Sequence, residues 1–186
     1  MTRTFSIQQM MLCGLFAALI AVGAFIRVPV PAVPFTLQFL FTTLAGLLLG
    51  ARTGAASVII YLALGLAGLP IFAQGGGPGY VMVPTFGYLI GFVAGTWITG
   101  RLARRCAEPT VKQLAAANFC GLAAVYAIGM AYYYLICNFV IGTPIAFWPL
   151  FLYCFLLAVP GDAALCLLCA VLGRRLIPQV RRYTER

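Results

Sequence analysis

The sequence predicts an all-α integral membrane protein with six transmembrane helices. Three observations lead there. First, 63% of the 186 residues are hydrophobic and only 8% are charged, against about 25% charged and about 45–50% apolar in a soluble domain. Second, the apolar residues fall into six runs near the ~20 residues a helical span needs; six such spans would use about 120 residues and leave about 66 for loops and ends. Third, nearly all the Lys and Arg residues fall in alternate connections. Together these exclude an ordinary soluble enzyme, a disordered regulator and a nucleic-acid binder. The net charge of +9 reads as orientation charge on a membrane protein.

Span one runs from about Ile7 to Ile26 and is rich in small residues: Gly14, Ala17, Ala18, Ala21, Gly23 and Ala24. The segment after it, with Pro29, Pro31 and Pro34, cannot continue a helix. Span two is expected from about Phe35 to Gly50, a tight turn at Arg52 and Gly54, and span three from about Ala55 to Leu69. The charge-free stretch from Pro70 to Pro84, with Gly75, Gly76, Gly77 and Gly79, has too many breakers for a helix. Span four covers about Thr85 to Leu102, span five about Leu114 to Phe139, and span six about Phe147 to Leu172. Asn138 to Pro144 reads as a second charge-free turn, and Pro160-Gly161 interrupts span six.

The connections carry the orientation signal. With both termini on one side, that side holds Arg3, Arg52, Arg101, Arg104, Arg105, Lys112, Arg174, Arg175, Arg181, Arg182 and Arg186, and the other side holds Arg27 alone. Eleven against one is a positive-inside pattern with cytoplasmic termini, whereas five or seven spans would scatter the charges across both faces.

Few charged groups are left for chemistry. Glu108 and Glu185 sit among basic residues, so Asp162, after Pro160-Gly161 in span six, stands out. A carboxylate at membrane depth costs about 2.5–3.5 kcal/mol on insertion scales, and its default reading is a ligand, proton or ion site. A pairing that holds two helices, or a place near the outer interface, are the other readings. The preceding proline opens the helix locally. If span six starts outside at Phe147, helical rise puts Asp162 ~22 Å in. Arg27 reads equally as an entrance for an anionic ligand and as a snorkelling anchor. The glycine run would let backbone approach a ligand closely. Gln38, Thr85, Tyr88, Tyr126 and Asn138 offer hydrogen bonds, and Tyr80 and Trp148 offer ring faces. Such a mixture suits a small, mostly apolar ligand with a few polar groups. Gly14-x-x-x-Ala18 and Ala17-x-x-x-Ala21 make a small-residue face for close helix approach, within the protein or against a partner.

Other features argue against rival chemistry. The seven cysteines are scattered through apolar segments or their ends, and Cys166-x-x-Cys169 has no His and no second C-x-x-C to complete a metal set. The first apolar run does not read as a signal peptide, since equally apolar runs follow it. With no G-x-x-x-x-G-K-[ST] and Lys112 as the sole lysine, the chain cannot be its own P-loop ATPase. Uphill transport would need an ion gradient or a partner that supplies ATP.

Several segments resemble one family. Val33-Pro34-Phe35-Thr36-Leu37-Gln38 resembles the VPxTxQ signature of the BioY family, and Gly68-Leu69-Pro70-Ile71-Phe72-Ala73 with the run to Gly79-Tyr80 resembles its second signature. Pro84-Thr85-Phe86-Gly87-Tyr88-Leu89-Ile90-Gly91-Phe92 resembles its PTxGYLxGF stretch, and Tyr126-x-x-Gly129 and Pro160-Gly161-Asp162 fit its later part. The resemblance, which runs from span one to span six, implies a biotin-specific S component of an energy-coupling factor (ECF) transporter, with the six-helix S-component fold. It implies a biotin pocket near the outer side, closed by the loops after spans one and three, in a prokaryotic cell membrane. It also implies a transmembrane coupling protein and two ATP-binding subunits as partners, with Gly14, Ala17, Ala18 and Ala21 matching the region that docks the coupling protein. ATP would be used by those subunits, and no cofactor by this chain. In one place the sequence departs from the pattern: P-x-D-x-x-K ends here in Leu165.

On this reading Asp162 would accept the N–H groups of the ureido ring, and Gln38, Thr36, Thr85 and Tyr88 would supply neutral contacts or support loop closure. Gly76, Tyr80, Tyr126, Asn138 and Arg27 complete the expected binding set. The rivals are an ion-coupled stand-alone carrier, an S component for another vitamin or a biotin precursor, and an intramembrane enzyme, for which no reactive pair is visible.

Overall fold

The computed structural model of the chain describes residues 6–28, 35–106 and 108–184. Arg3, Pro29, Pro31, Val33, Pro34, Glu185 and Arg186 of the sequence reading lie outside the described residues. Helix α1 (Ile7–Phe25) opens with a capping box: Ser6 Oγ accepts from the Gln9 N–H at 3.2 Å, and Gln9 Oε1 accepts from the Ser6 N–H at 3.1 Å. The chain then forms a short antiparallel ladder, β1 (Arg27–Val28) with β2 (Phe35–Thr36), with Arg27 opposite Thr36. Helix α2 (Gln38–Leu49) therefore starts later than expected, because Phe35 and Thr36 are spent on the ladder.

The turn between the next two helices also moves. Gly50, not Arg52-Gly54, makes it, with φ of 83° in the region that favours glycine. Helix α3 (Ala51–Leu66) contains Gly54 as an ordinary helical residue. The Arg104 Nη2 donates to the Leu49 carbonyl at 2.7 Å and closes the end of α2. Helix α4 (Phe86–Ala103) follows, and α5 (Val111–Leu135) begins with a second capping box, Thr110 with Gln113. Helix α5 widens into a π-helical turn, Ile136–Ile141, and ends at Gly142, whose φ is 73°.

The sixth span is a composite. Helix α6 (Phe147–Phe151) passes into a π-helical turn, Leu152–Leu156, and α7 (Val159–Thr184) begins after a two-residue break. The interruption thus falls before Pro160. That proline occupies the first turn of α7, where a missing N–H costs nothing. Helix α7 also runs well past Leu172. Among the described residues, Ile7–Phe25, Val111–Ile141 and Phe147–Val180 are long and apolar enough to cross a bilayer; Gln38–Leu49 and Ala51–Leu66 are shorter apolar helices.

Helix α2 sits centrally against α1, α3, α4 and α7, and α4 packs most extensively on α5. The α4–α5 approach depends on missing side chains: a Cβ on Gly95 or on Gly121 would lie 2.9 Å from the other's carbonyl oxygen. Single polar groups pin neighbouring helices through backbone carbonyls. Thr96 Oγ1 donates to Thr42 O at 3.1 Å, Thr99 Oγ1 to Ala117 O at 3.3 Å, and Asn118 Nδ2 to Cys166 O at 2.8 Å. Such bonds between membrane helices contribute about 0.6 kcal/mol each. Two buried cores result. One, with Leu44, Leu47, Leu48, Leu114 and Ile177, is mainly aliphatic and lies toward the basic connections. The other is aromatic and lies toward the charge-free loops.

Candidate ligand-binding cavity

The aromatic core is hollow. A small, partly open cavity of about 70 Å³ lies within it. Phe35, Thr36, Gln38 and Phe39 reach it from β2 and α2, Tyr88, Leu89 and Phe92 from α4, and Val125 and Tyr126 from α5. Ala158 and Asp162 come from the start of α7, and Ala73, Tyr80 and Thr85 from the connection after α3. Among these lining residues Asp162 is the one with a charged side chain.

Asp162 stands in the first turn of α7, where the helix N-terminus favours a negative charge. Its Oδ2 accepts from the Tyr126 hydroxyl at 2.5 Å. The Tyr126 ring is fixed edge-on against Tyr88 (6.1 Å between centroids) and Phe155 (5.0 Å). Tyr88 in turn donates to the Cys154 carbonyl at 3.2 Å, in the π-helical turn before α7. The carboxylate is therefore held by rings that are themselves locked, and its second oxygen has no hydrogen-bond partner among the described residues.

A second polar group faces it from α2. Gln38 is buried, with Oε1 accepting from Thr36 Oγ1 at 3.1 Å and Nε2 donating to the Tyr61 hydroxyl at 2.7 Å. The Tyr61 hydroxyl donates onward to the Ile71 carbonyl at 3.1 Å. One Nε2 hydrogen and one Oε1 lone pair remain. Gln38 thus presents a fixed donor–acceptor edge and ties the cavity wall to the loop after α3.

That loop is ordered by aromatic burial. Phe72 is 1% exposed and packs edge-on against Tyr61 at 5.3 Å and beside Tyr80 at 4.6 Å. Phe72 and Gly75 bridge through both backbone groups, and the Gly77 N–H donates to the Gly65 carbonyl at 2.7 Å. The Tyr132 hydroxyl donates to Val81 O at 2.5 Å from the α5 side. Tyr80 sits in a 3₁₀ turn, Pro78–Met82, and burial pushes its phenol above the ordinary pKa.

The structure brings Thr36, Gln38, Tyr80, Thr85, Tyr88, Tyr126 and Asp162 to one cavity, and places the other expected residues elsewhere. Gly76 lies against the Leu69 carbonyl, with no room there for a Cβ. Asn138 gives its two amide hydrogens to Tyr134 O (3.0 Å) and Ile145 O (3.2 Å), and so closes the end of α5. Arg27 is exposed, and its Nη1 donates to Ala73 O at 2.5 Å. Trp148 is 68% exposed and stacks on Phe151, away from the cavity. Of the small-residue face, Gly14 and Ala18 are exposed, Ala21 is half-buried and Ala17 is buried inside the bundle. Leu165 packs half-buried against the aromatic core.

Sequence reasoning missed Phe39, Leu89, Phe92, Val125, Ala158 and Tyr61. Phe92 and Ala158 each lie four residues from a chosen residue, Tyr88 and Asp162, so helical spacing was the available signal. Tyr61 gave none, being one hydroxyl within an apolar span.

The BioY family matches residues 1–182. A protein from Lysinibacillus sphaericus named as a probable biotin transporter BioY is 43% identical over 176 residues, covering 95% of this chain and 90% of that one. The biotin transporter BioY of Rhizobium etli is 34% identical, covering 91% of this chain and 92% of its own. The crystal structure of the S-component for biotin from an ECF-type ABC transporter superposes with a TM-score of 0.66 at 26% identity, covering 95% of this chain and 94% of that one. The chain belongs to the BioY family.

Proposed function

We propose that this BioY-family chain binds biotin in the aromatic cavity and delivers it as the substrate-specific component of an ECF-type ABC transporter. Its partners are then a transmembrane coupling protein and two ATP-binding subunits, which use the ATP. The charge pattern of the connections supports both termini in the cytoplasm, and the bacterial relatives support a prokaryotic cell membrane. Relatives named as biotin transporters, aligned along nearly their whole length, support the ligand.

The observation that carries the chemistry is the Asp162–Tyr126 pair in an otherwise uncharged, aromatic-lined cavity. Biotin has a ureido ring with two N–H donors and one carbonyl, an apolar bicycle, and a carboxylate on a flexible tail. A carboxylate acceptor strengthens the ureido N–H bonds. The free edge of Gln38, with Thr36 behind it, suits the ureido carbonyl or the second N–H. Rings such as Phe39, Tyr88 and Phe92 cover the sulfur-containing bicycle, for which burial contributes roughly 25 cal/mol per Å². The loop after α3 lines the cavity through Ala73 and Tyr80. Moving it would open the mouth, and docking on the coupling protein would permit release inside.

Calorimetry of the purified chain with biotin, with riboflavin and thiamine as controls, tests the reading. Saturable binding of biotin alone is expected, and binding of a control instead would transfer the chain to another vitamin. Uptake by the isolated chain that follows a pH gradient and ignores ATP would favour the ion-coupled carrier.

A further inference from the structure

We propose that Arg27 receives the carboxylate of the ligand at the rim of the cavity and so fixes which end of the ligand enters first. The assignment rests on the biotin reading above and deepens it. Among the described lining residues the cavity has one formal charge, Asp162, and no Lys or Arg. Position 165, where the family pattern has Lys, is a leucine packed into the aromatic core. A ligand with a neutral N–H-rich head and an anionic tail is attracted head-first to Asp162, and its tail is repelled from the same place. The tail therefore needs a cation elsewhere.

Arg27 meets the cavity wall at the loop after α3. Its Nη1 donates to the carbonyl of Ala73, itself a lining residue, at 2.5 Å. Its charge also reaches the hydroxyl of Tyr80, a second lining residue: burial holds that phenol above its ordinary pKa, while Thr85, the Gln74 backbone and Arg27 act against the rise. The guanidinium has five N–H donors in a planar fork, and the bond to Ala73 uses one. The remaining donors can grip a carboxylate in two-point fashion. Among the described residues Arg27 forms no ion pair, so an incoming carboxylate need displace no acid of theirs. The same contact would fasten β1 to the loop after α3 through a shared cation once the tail is in place.

The test compares biotin with biotin methyl ester, which keeps the head and removes the tail charge, on the full chain in nanodiscs by calorimetry. Wild-type protein should prefer biotin by roughly three- to tenfold at low salt, as befits a charged contact at an exposed rim. That preference should fall toward one with added salt, because the contact is screened. In Arg27→Gln the two ligands should bind alike, with the ester as tight as on wild type, and Arg27→Lys should keep part of the preference. An equal preference in wild type and Arg27→Gln overturns the assignment, as does equal weakening of both ligands, which would make Arg27 a loop fastener only. If Arg27→Gln does not fold, a wild-type preference that is absent or indifferent to salt overturns it alone. Wild-type protein that binds neither ligand overturns the biotin reading itself, and the role of Arg27 with it.

Discussion

Replacing Asp162 tests the recognition chemistry most directly. Asp162→Asn keeps the shape of the side chain and removes its charge. The Tyr126 hydroxyl, 2.5 Å from Oδ2, can still bond the amide, so the ring wall of Tyr88, Tyr126 and Phe155 should stay in place. What is lost is the difference between a charge-assisted and a neutral hydrogen bond to the ligand. Net values are about 1.5–3 kcal/mol for the first and about 0.5–1.5 for the second. A loss near 1–1.5 kcal/mol corresponds to about 5- to 12-fold weaker biotin binding. Asp162→Ala removes the acceptor entirely and strands the Tyr126 hydroxyl in a site where Tyr126 is only 4% exposed. Its expected loss is about 12- to 150-fold. Calorimetry on both variants gives the ratios, and thermal melting of the purified proteins shows whether the bundle survives. A folded Asp162→Ala protein that binds biotin within about twofold of wild type would refute the argument, whatever happens to uptake.

Three further outcomes follow from other parts of the molecule. Gly14 and Ala18 expose a smooth strip on α1; Ala18→Trp should leave biotin affinity within about twofold while uptake in cells with the complete transporter falls severalfold, and unchanged uptake would remove this strip from the docking face. Gly121→Ala would press a methyl onto Thr99 and to 2.9 Å from the Gly95 carbonyl, so the variant should lose about 1–3 kcal/mol of stability, read as a lower melting temperature in detergent. Cys106, half-exposed in the basic connection after α4, should react with a membrane-impermeant maleimide in inside-out vesicles and not in intact cells; the reverse pattern would invert the proposed topology.

How much of this was legible in the sequence varied with the physics involved. Hydropathy located the spans, because a bilayer selects long apolar runs whatever their packing. It could not place the turn between α2 and α3, since Gly50 and Gly54 look alike until backbone φ separates them. Nor could it see that Phe35 and Thr36 form a strand, because two residues carry no periodicity. Asp162 was legible because a lone acid in an oily segment is costly, and Gln38, Tyr88 and Tyr126 were legible as polar groups in apolar runs. The same logic picked Asn138, yet its amide is consumed by two carbonyls at the end of α5. Polarity shows that a group needs a partner, and only the fold shows whether that partner is backbone or ligand. Tyr61 failed in the other direction: it holds Gln38 and the loop at Ile71 through one hydroxyl.

The break in the sixth span explains how an anion is tolerated in so apolar a bundle. Pro160 can offer no N–H to the carbonyl four residues before it, and because the helix is interrupted just before it, the missing donor falls in a first turn that needs none. The Leu157 N–H reaches back five residues to Leu152 O at 3.2 Å, a widened turn, and the next residue tightens, its N–H on Phe155 O at 3.1 Å. A new helix then starts inside the span at Val159, with its positive end at the cavity wall and Asp162 in its first turn. An unbroken helix would have placed that carboxylate mid-helix, without the dipole and without the slack that lets the Cys154 carbonyl accept from Tyr88. The proline, the π-helical turn and the acid are therefore one device. Relieving the break with Pro160→Ala should restore regular helix, improve local packing and still weaken biotin binding, a combination that a merely tolerated kink would not produce.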